Sequence, residues 1–188
     1  RPALLDDWAM PLTDALRATL DRIVARHEGL RTTFASGPNG PVQVIAPADC
    51  GFALAELELR ALEQPEREQA LAQLSAAEAN ALFDLAAGPL VRGQLIRLAD
   101  DEHILLVTQH HVISDGWSVG ILVKEVSVLY AAFSQGQPDP LPPLAIQYAD
   151  YAFWQRQWLQ GYTLNQQIEF WRTHLESAPS LFELPADH

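Results

Sequence analysis

Two adjacent histidines, His110 and His111, are followed by Asp115 and Gly116 in the stretch Gln109-His110-His111-Val112-Ile113-Ser114-Asp115-Gly116-Trp117-Ser118. Imidazole titrates near neutrality and can move protons as a general base. The pair closes an apolar run, residues 103–108, and precedes a helical pattern, so it reads as a strand-to-helix turn. Neighbouring side chains on a strand point to opposite faces. A strand kept to its tip places Thr108 and His110 on one face, and Val107, Gln109 and His111 on the other. The imidazoles then diverge, and no Cys or Glu cluster stands near to complete a coordination shell, so no metal is expected. One histidine should face an active-site space while the other supports the turn. Asp115 suits a helix N-cap or a buried ion pair better than direct catalysis. Gly116 admits a conformation or a close approach that a side chain would prevent, and its amide at a helix N-terminus suits a developing oxyanion. The same residues also read as a plain turn with two satisfied histidines, and spacing alone does not choose.

The elements around this turn follow from periodicity and breakers. Leu16, Leu20, Ile23 and Val24 recur at helical spacing, predicting a helix over 13–28 that Gly29 terminates. Residues 30–34 and 42–45, joined by the turn cluster 37–41, predict a hairpin. A strand is expected over 52–59. Pro65 suits the first turn of a helix running from 66 to 83, with Leu71, Leu74, Ala81 and Leu82 on its buried side. Residues 90–98 and 103–109 predict a second hairpin. Its later strand, apolar on both faces, should be central in its sheet. A helix over 117–134, capped by Ser114 or Asp115, should bury Val119, Leu122, Val123, Val126, Leu129, Tyr130 and Phe133 and end at Gly136. Four prolines between 138 and 143 predict a stiff extended link. An aromatic-rich helical stretch then runs from 146 to 175, broken near Gly161. These elements predict an α+β fold of mixed layers, a central, mostly antiparallel sheet flanked by helices, forming one lobe.

Composition bounds the function. The 188 residues are 48% hydrophobic and 19% charged, which is globular. A net charge of −12 repels phosphate backbones, so no nucleic-acid partner is expected. The single Cys50 excludes an internal disulfide and fits a reducing, cytoplasmic setting. No run of 18 apolar residues occurs, so no spanning helix is expected. The N-terminal Arg-Pro-Ala-Leu-Leu-Asp-Asp is no signal peptide and carries no initiator Met. The chain is expected to be truncated at both ends.

Three stretches resemble one family in one order. His110 to Ser118 resembles the HHxxxDG signature of condensation domains of nonribosomal peptide synthetases. Residues 26–34, Arg-His-Glu-Gly-Leu-Arg-Thr-Thr-Phe, resemble its RHExLRTxF motif, and residues 148–154, Tyr-Ala-Asp-Tyr-Ala-Phe-Trp, its YxDYAxW motif. The family's first motif, SxAQxR-like, has no match in residues 1–10. Epimerization domains share HHxxxD but usually lack the Gly-Trp-Ser continuation, and heterocyclization domains carry paired aspartates instead. Ester-forming acyltransferases also carry HHxxxDG, but the other two motifs speak against them.

The resemblance implies a chloramphenicol acetyltransferase-like N-terminal lobe spanning 1–188, with the C-terminal lobe that completes the active-site tunnel absent. The implied reaction is amide-bond formation between a carrier-bound aminoacyl or peptidyl thioester and the amine of a second carrier-bound aminoacyl group. His111 would be the catalytic residue. His110 and Asp115 would be structural, with Asp115 ion-paired to Arg31, and Gly116 and Trp117 would support the site. No cofactor would be bound by the lobe itself; 4'-phosphopantetheine would arrive on donor and acceptor carrier domains, beside an adenylation domain in the same synthetase. The isolated lobe is expected to be inactive, or to act only as a carrier-binding module.

Overall fold

The protein is described by a computed structural model covering residues 12–38 and 40–179. The N-terminal segment lacking the first motif, Asn39 of the turn cluster and the C-terminal Pro-Ala-Asp-His lie outside the described residues. Two compact units divide the chain, Arg1–Gln147 and Tyr148–His188.

The first unit begins with α1 (Leu12–Arg26) and a 3-10 helix (Glu28–Arg31). The hairpin strands β1 (Thr32–Gly37) and β2 (Gly40–Ile45) pair antiparallel, with Thr32 opposite Ile45. Next come β3 (Ala53–Glu58), α2 (Gln64–Asn80), β4 (Val91–Arg97), β5 (His103–Gln109) and α3 (Gly116–Phe133). The larger sheet has the order β3-β4-β5, with β3 parallel and β5 antiparallel to β4. The helical spacing read in α1 is the spacing of its buried face: Leu16, Leu20, Ile23 and Val24 are all in the core. Leu16, Leu20 and Val24 meet Phe52 and the β4 residues Val91 and Leu95 in one cluster. Gly93 on β4 is required by that packing. A Cβ there would stand 2.9 Å from the Phe52 ring and 3.0 Å from the Leu106 carbonyl.

Several expectations are corrected. Among the described residues β4, not β5, is the central strand, because β4 holds both pairings and β5 one. The β5 side chains are correspondingly half-buried, with Val107 exposed. Gly29 does not cap α1. The helix stops at Arg26, His27 is extended, and Gly29 lies inside the 3-10 helix, which also takes Leu30 and Arg31 out of β1. On α2 the one buried residue is Glu78, while Leu71 and Leu74 are half-buried and Leu82, past the helix end, is exposed. On α3, Leu129 and Ala132 are buried, whereas Val119 and Val123 are exposed. α3 is also, at 18 residues and mean hydropathy 1.3, long and apolar enough by length and composition to cross a membrane. Its Glu125 is nevertheless engaged by α1 in the lobe.

That engagement closes the end of α1. Arg26, with 5% of its side chain exposed, pairs with Glu125 at 3.1 Å, and His27 Nε2 lies 2.6 Å from the same carboxylate. A second Arg26 nitrogen donates to the Pro142 carbonyl, and Arg22 pairs with Asp139, so the proline-rich link is fastened along α1. Gln147 bridges the helix break: its amide donates to Arg26 O, and its carbonyl accepts from Glu28 N–H. At the far end of α3, Gly136 takes φ +66 while Gln137 N–H returns to Ala132 O, an ordinary glycine helix stop.

The second unit contains α4 (Tyr148–Trp158) and α5 (Gly161–His174), divided where Gly161 takes φ +51. Tyr148, Tyr151, Trp154 and Trp158 form a ladder along α4 with ring spacings of 5.7–5.8 Å.

Removing one partner of a buried pair leaves the other charge uncompensated, at a cost of about 3–5 kcal/mol. Glu125→Ala should therefore lower the unfolding free energy in urea by roughly that amount. A loss below about 1 kcal/mol, the surface-pair range, would show that solvent rather than Glu125 meets Arg26.

Candidate active site

The histidine turn is built at the tip of β5. The ladder pairs Val91 with Gln109 and then continues one bond further, from His110 N–H to the Leu90 carbonyl at 2.9 Å. The chain then turns, with Ile113 N–H on His110 O at 3.1 Å. His110 Nδ1 accepts from Val112 N–H at 3.0 Å, and the His110 ring meets Phe83 edge-on at 5.8 Å. Ile113 packs against the core cluster, and its carbonyl lies 3.9 Å from where a Cβ on Gly29 would stand. His110 is therefore half-buried and held on three sides, whereas His111 is exposed.

Asp115 is the N-cap of α3. Its backbone is extended, and its carboxylate accepts from Ser118 N–H at 2.8 Å and from the Ser118 hydroxyl at 2.6 Å. The Ser118 hydroxyl and amide hold the Asp115 carboxyl below the usual carboxylate range, with His111 a weaker contributor. The ion pair expected between Asp115 and Arg31 is not formed. Arg31 donates to the Ala46 carbonyl and lies 3.5 Å from Glu28, its neighbour one turn back, and its Nε has no acceptor among the described residues. The cap outcompetes the pair because Ser118 sits three residues along the same helix, in reach of Asp115 without any tertiary adjustment. Arg31 instead secures β2 to the 3-10 helix.

Gly116 is the first residue of α3 and has no positive φ, so its conformation does not require glycine. A Cβ there would meet nothing within 4 Å. Trp117 projects outward, 82% exposed. Thus the structure brings His110, His111, Asp115 and Gly116 together on one turn, and places Arg31 in a separate set of contacts. Among the described residues no three His, Cys, Asp or Glu side chains converge to hold a metal.

Residues that sequence reasoning passed over stand behind the turn. Glu78 on α2 accepts from Arg92 Nε at 2.7 Å and from Gln94 at 2.8 Å, with Thr108 a further donor. Burial opposes ionisation of Glu78, but these bonds prevail and its pKa is lowered. Arg92 also lies over the Phe83 ring, 3.9 Å from its centroid, and donates to Ala81 O at 2.8 Å. The signal available in the sequence was one Glu on a helix face that also carries Leu71 and Leu74, a pattern too common to select.

The Asp115 cap should be pH-dependent. A carboxyl whose pKa is lower folded than unfolded stabilises fully above its unfolded value, about 3.9 for Asp, and loses that contribution as pH falls through the folded value. Asp115→Ala should therefore have a lower Tm than wild type at pH 7, and the gap should close as pH drops below about 4. A gap that stays constant from pH 7 to pH 3 would show that the charge on Asp115 adds nothing to the cap.

The family model described as "Condensation domain" matches residues 12–188. The chain is 51% identical over 174 residues to malpibaldin synthetase of Mortierella alpina, covering 93% of this chain and 3% of that protein. It is 44% identical over 173 residues to a linear gramicidin synthase of Brevibacillus parabrevis, covering 92% and 2%. The crystal structure of the X-domain from teicoplanin biosynthesis matches with a TM-score of 0.80 at 32% identity, covering 94% of this chain and 38% of that one. The chain thus spans a small part of the relatives it matches, and its mixed α+β architecture is the chloramphenicol acetyltransferase-like one of condensation-domain structures. On a match that runs from α1 through the histidine turn to the last residue, the chain belongs to the condensation-domain family of nonribosomal peptide synthetases.

Proposed function

We propose that this chain is the first lobe of a two-lobed condensation domain and that His111 serves amide-bond formation between two carrier-bound substrates. The observation that carries the reading is the histidine turn. Three neighbours hold His110, Asp115 caps α3, and His111 is left exposed next to a helix start with open space at Gly116. In the proposed reaction the acceptor amine attacks the donor thioester carbonyl. A C–N bond forms, the C–S bond breaks, and the donor leaves its carrier thiol behind. The proton lost by the attacking nitrogen passes by way of His111 to the departing thiolate.

The demand on His111 is modest. An α-amine has a pKa of about 7.7–8.0, so a useful fraction is already neutral near pH 7. His111 then orients the amine or takes the proton from the tetrahedral intermediate as it forms. Holding two tethered reactants in line supplies up to roughly 7–11 kcal/mol at best. The first amides of α3, at Gly116 and Trp117, suit an oxyanion at the reacting carbonyl. In this reading 4'-phosphopantetheine belongs to the donor and acceptor carriers, an adenylation domain charges them, the reaction is cytoplasmic, and the lobe alone is inactive because one wall of the site lies on the second lobe.

The test uses the complete domain with one donor-loaded and one acceptor-loaded carrier. His111→Ala should lower amide formation about 10²-fold or more, the range lost with a general base, while carrier binding measured by calorimetry is retained. Wild-type turnover in this variant would remove His111 from the chemistry. Product formed with an alcohol acceptor but not with an amine would favour an ester-forming acyltransferase.

A further inference from the structure

Behind the histidine turn a chain of contacts runs from α2 to the His110 ring. Glu78, with 8% of its side chain exposed, anchors the Arg92 guanidinium from one side. Arg92 presses its cationic face onto Phe83 at 3.9 Å, while its remaining donors reach the Ala81 and Leu82 carbonyls. Phe83 therefore cannot swing away without breaking a charged contact that is itself pinned to two backbone carbonyls just past the end of α2. The Phe83 ring also meets His110, with centroids 5.8 Å apart and an interplanar angle of 89°. An edge-to-face aromatic pair has a preferred orientation, so a fixed Phe83 selects the orientation of the imidazole. That orientation lets Nδ1 accept from Val112 N–H, and Val112 directly follows His111. Glu78 also accepts from Gln94, so the same carboxylate ties α2 to β4 at two positions.

From these contacts we infer that Phe83, braced by Arg92 and Glu78, is a positioning residue that sets the His110 imidazole and through it the backbone direction of His111. The inference rests on the proposed role of His111 only for its kinetic consequence; the effect on His110 is independent of it. Phe83 acts through the neighbouring His110 ring. Accepting from Val112 N–H requires Nδ1 to be the unprotonated nitrogen of neutral His110, with the proton on Nε2. Without the Phe83 ring, the imidazole is free to turn about its last torsion, which is broad and nearly two-fold in energy.

The complete domain is compared as wild type, Phe83→Leu, Phe83→Met and Phe83→Tyr, each first checked for a native circular-dichroism spectrum. Nitrogen-15 spectra of the imidazoles at pH 8 should show wild-type His110 locked with Nδ1 unprotonated. Phe83→Leu and Phe83→Met should average its two nitrogens. They should also lower kcat for amide formation roughly two- to tenfold, the range a lost aromatic pair implies, with KM for the loaded carriers within about twofold. Phe83→Tyr, which keeps the ring edge, should restore both the spectrum and kcat. A folded ring-less variant with wild-type His110 spectrum and kcat overturns the inference. Averaged nitrogens in the wild type overturn it without any variant. Locked wild-type nitrogens in a domain that forms no amide leave the inference standing and defeat the proposed function. Amide formation that needs His111 but ignores Phe83 does the reverse.

Discussion

A guanidinium with 5% of its side chain exposed must be met by an anion, and the first unit is arranged around the way Arg26 meets Glu125. The carboxylate comes from the middle of α3, so satisfying the charge fixes α3 across α1. The next Arg26 donor takes the Pro142 carbonyl, which fastens the chain after α3 to the same helix end. His27 shares Glu125 and is drawn into an extended conformation, which stops α1 one residue earlier and starts the 3-10 helix. That short helix sets the beginning of β1. It also brings Gly29 beneath the Ile113 carbonyl, so the charge pair and the histidine turn are linked through a few residues of backbone.

The second constraint is the turn itself. A strand ending in a sharp reversal leaves amide and carbonyl groups that must find partners. Here Leu90 O, His110 O, His110 Nδ1 and the Asp115 carboxylate supply them in sequence. Each is local to the turn or to the adjacent strand end, so the turn needs no long side chain from elsewhere to close it. This is why Asp115 does not reach out to Arg31. The nearest donors, on Ser118, already satisfy it, and a distant ion pair would have to break two short bonds to form.

Legibility in the sequence followed the range of the interaction. The buried face of α1, the two hairpins, the break at Gly161 and the helix starting after Asp115 all depend on neighbours within a few residues, and all are readable from spacing and breakers. The three motifs were readable because their residues are contiguous. The strand order was not, since β3 lies parallel to β4 across an intervening helix and nothing within either strand specifies that partner. For the same reason Arg26–Glu125 was hidden, 99 residues apart, although both charges were visible. Glu78 was passed over for a different reason. A helix face containing Leu71 and Leu74 looks as if it should bury leucine, yet the position closest to the sheet faces Arg92 and Gln94, so a carboxylate is the residue that fits.

These two classes of interaction divide the work of the site. Contiguous residues make the turn and place His111 at its outer edge; distant ones decide how firmly the turn is held. A turn at the end of an edge strand would ordinarily fray. β5 is such a strand, with one paired side and an exposed Val107 two residues before Gln109. Its end is backed from the α2 side, where Glu78 holds Arg92, Arg92 lies over Phe83 and Phe83 meets His110. Polar anchoring beneath an aromatic contact suits this place. Apolar packing alone would tolerate a small rotation of the ring, whereas charge-assisted bonds to a buried carboxylate resist displacement of the guanidinium against which the ring is pressed. The anchoring of the histidine turn therefore originates on a helix that carries no motif residue of its own.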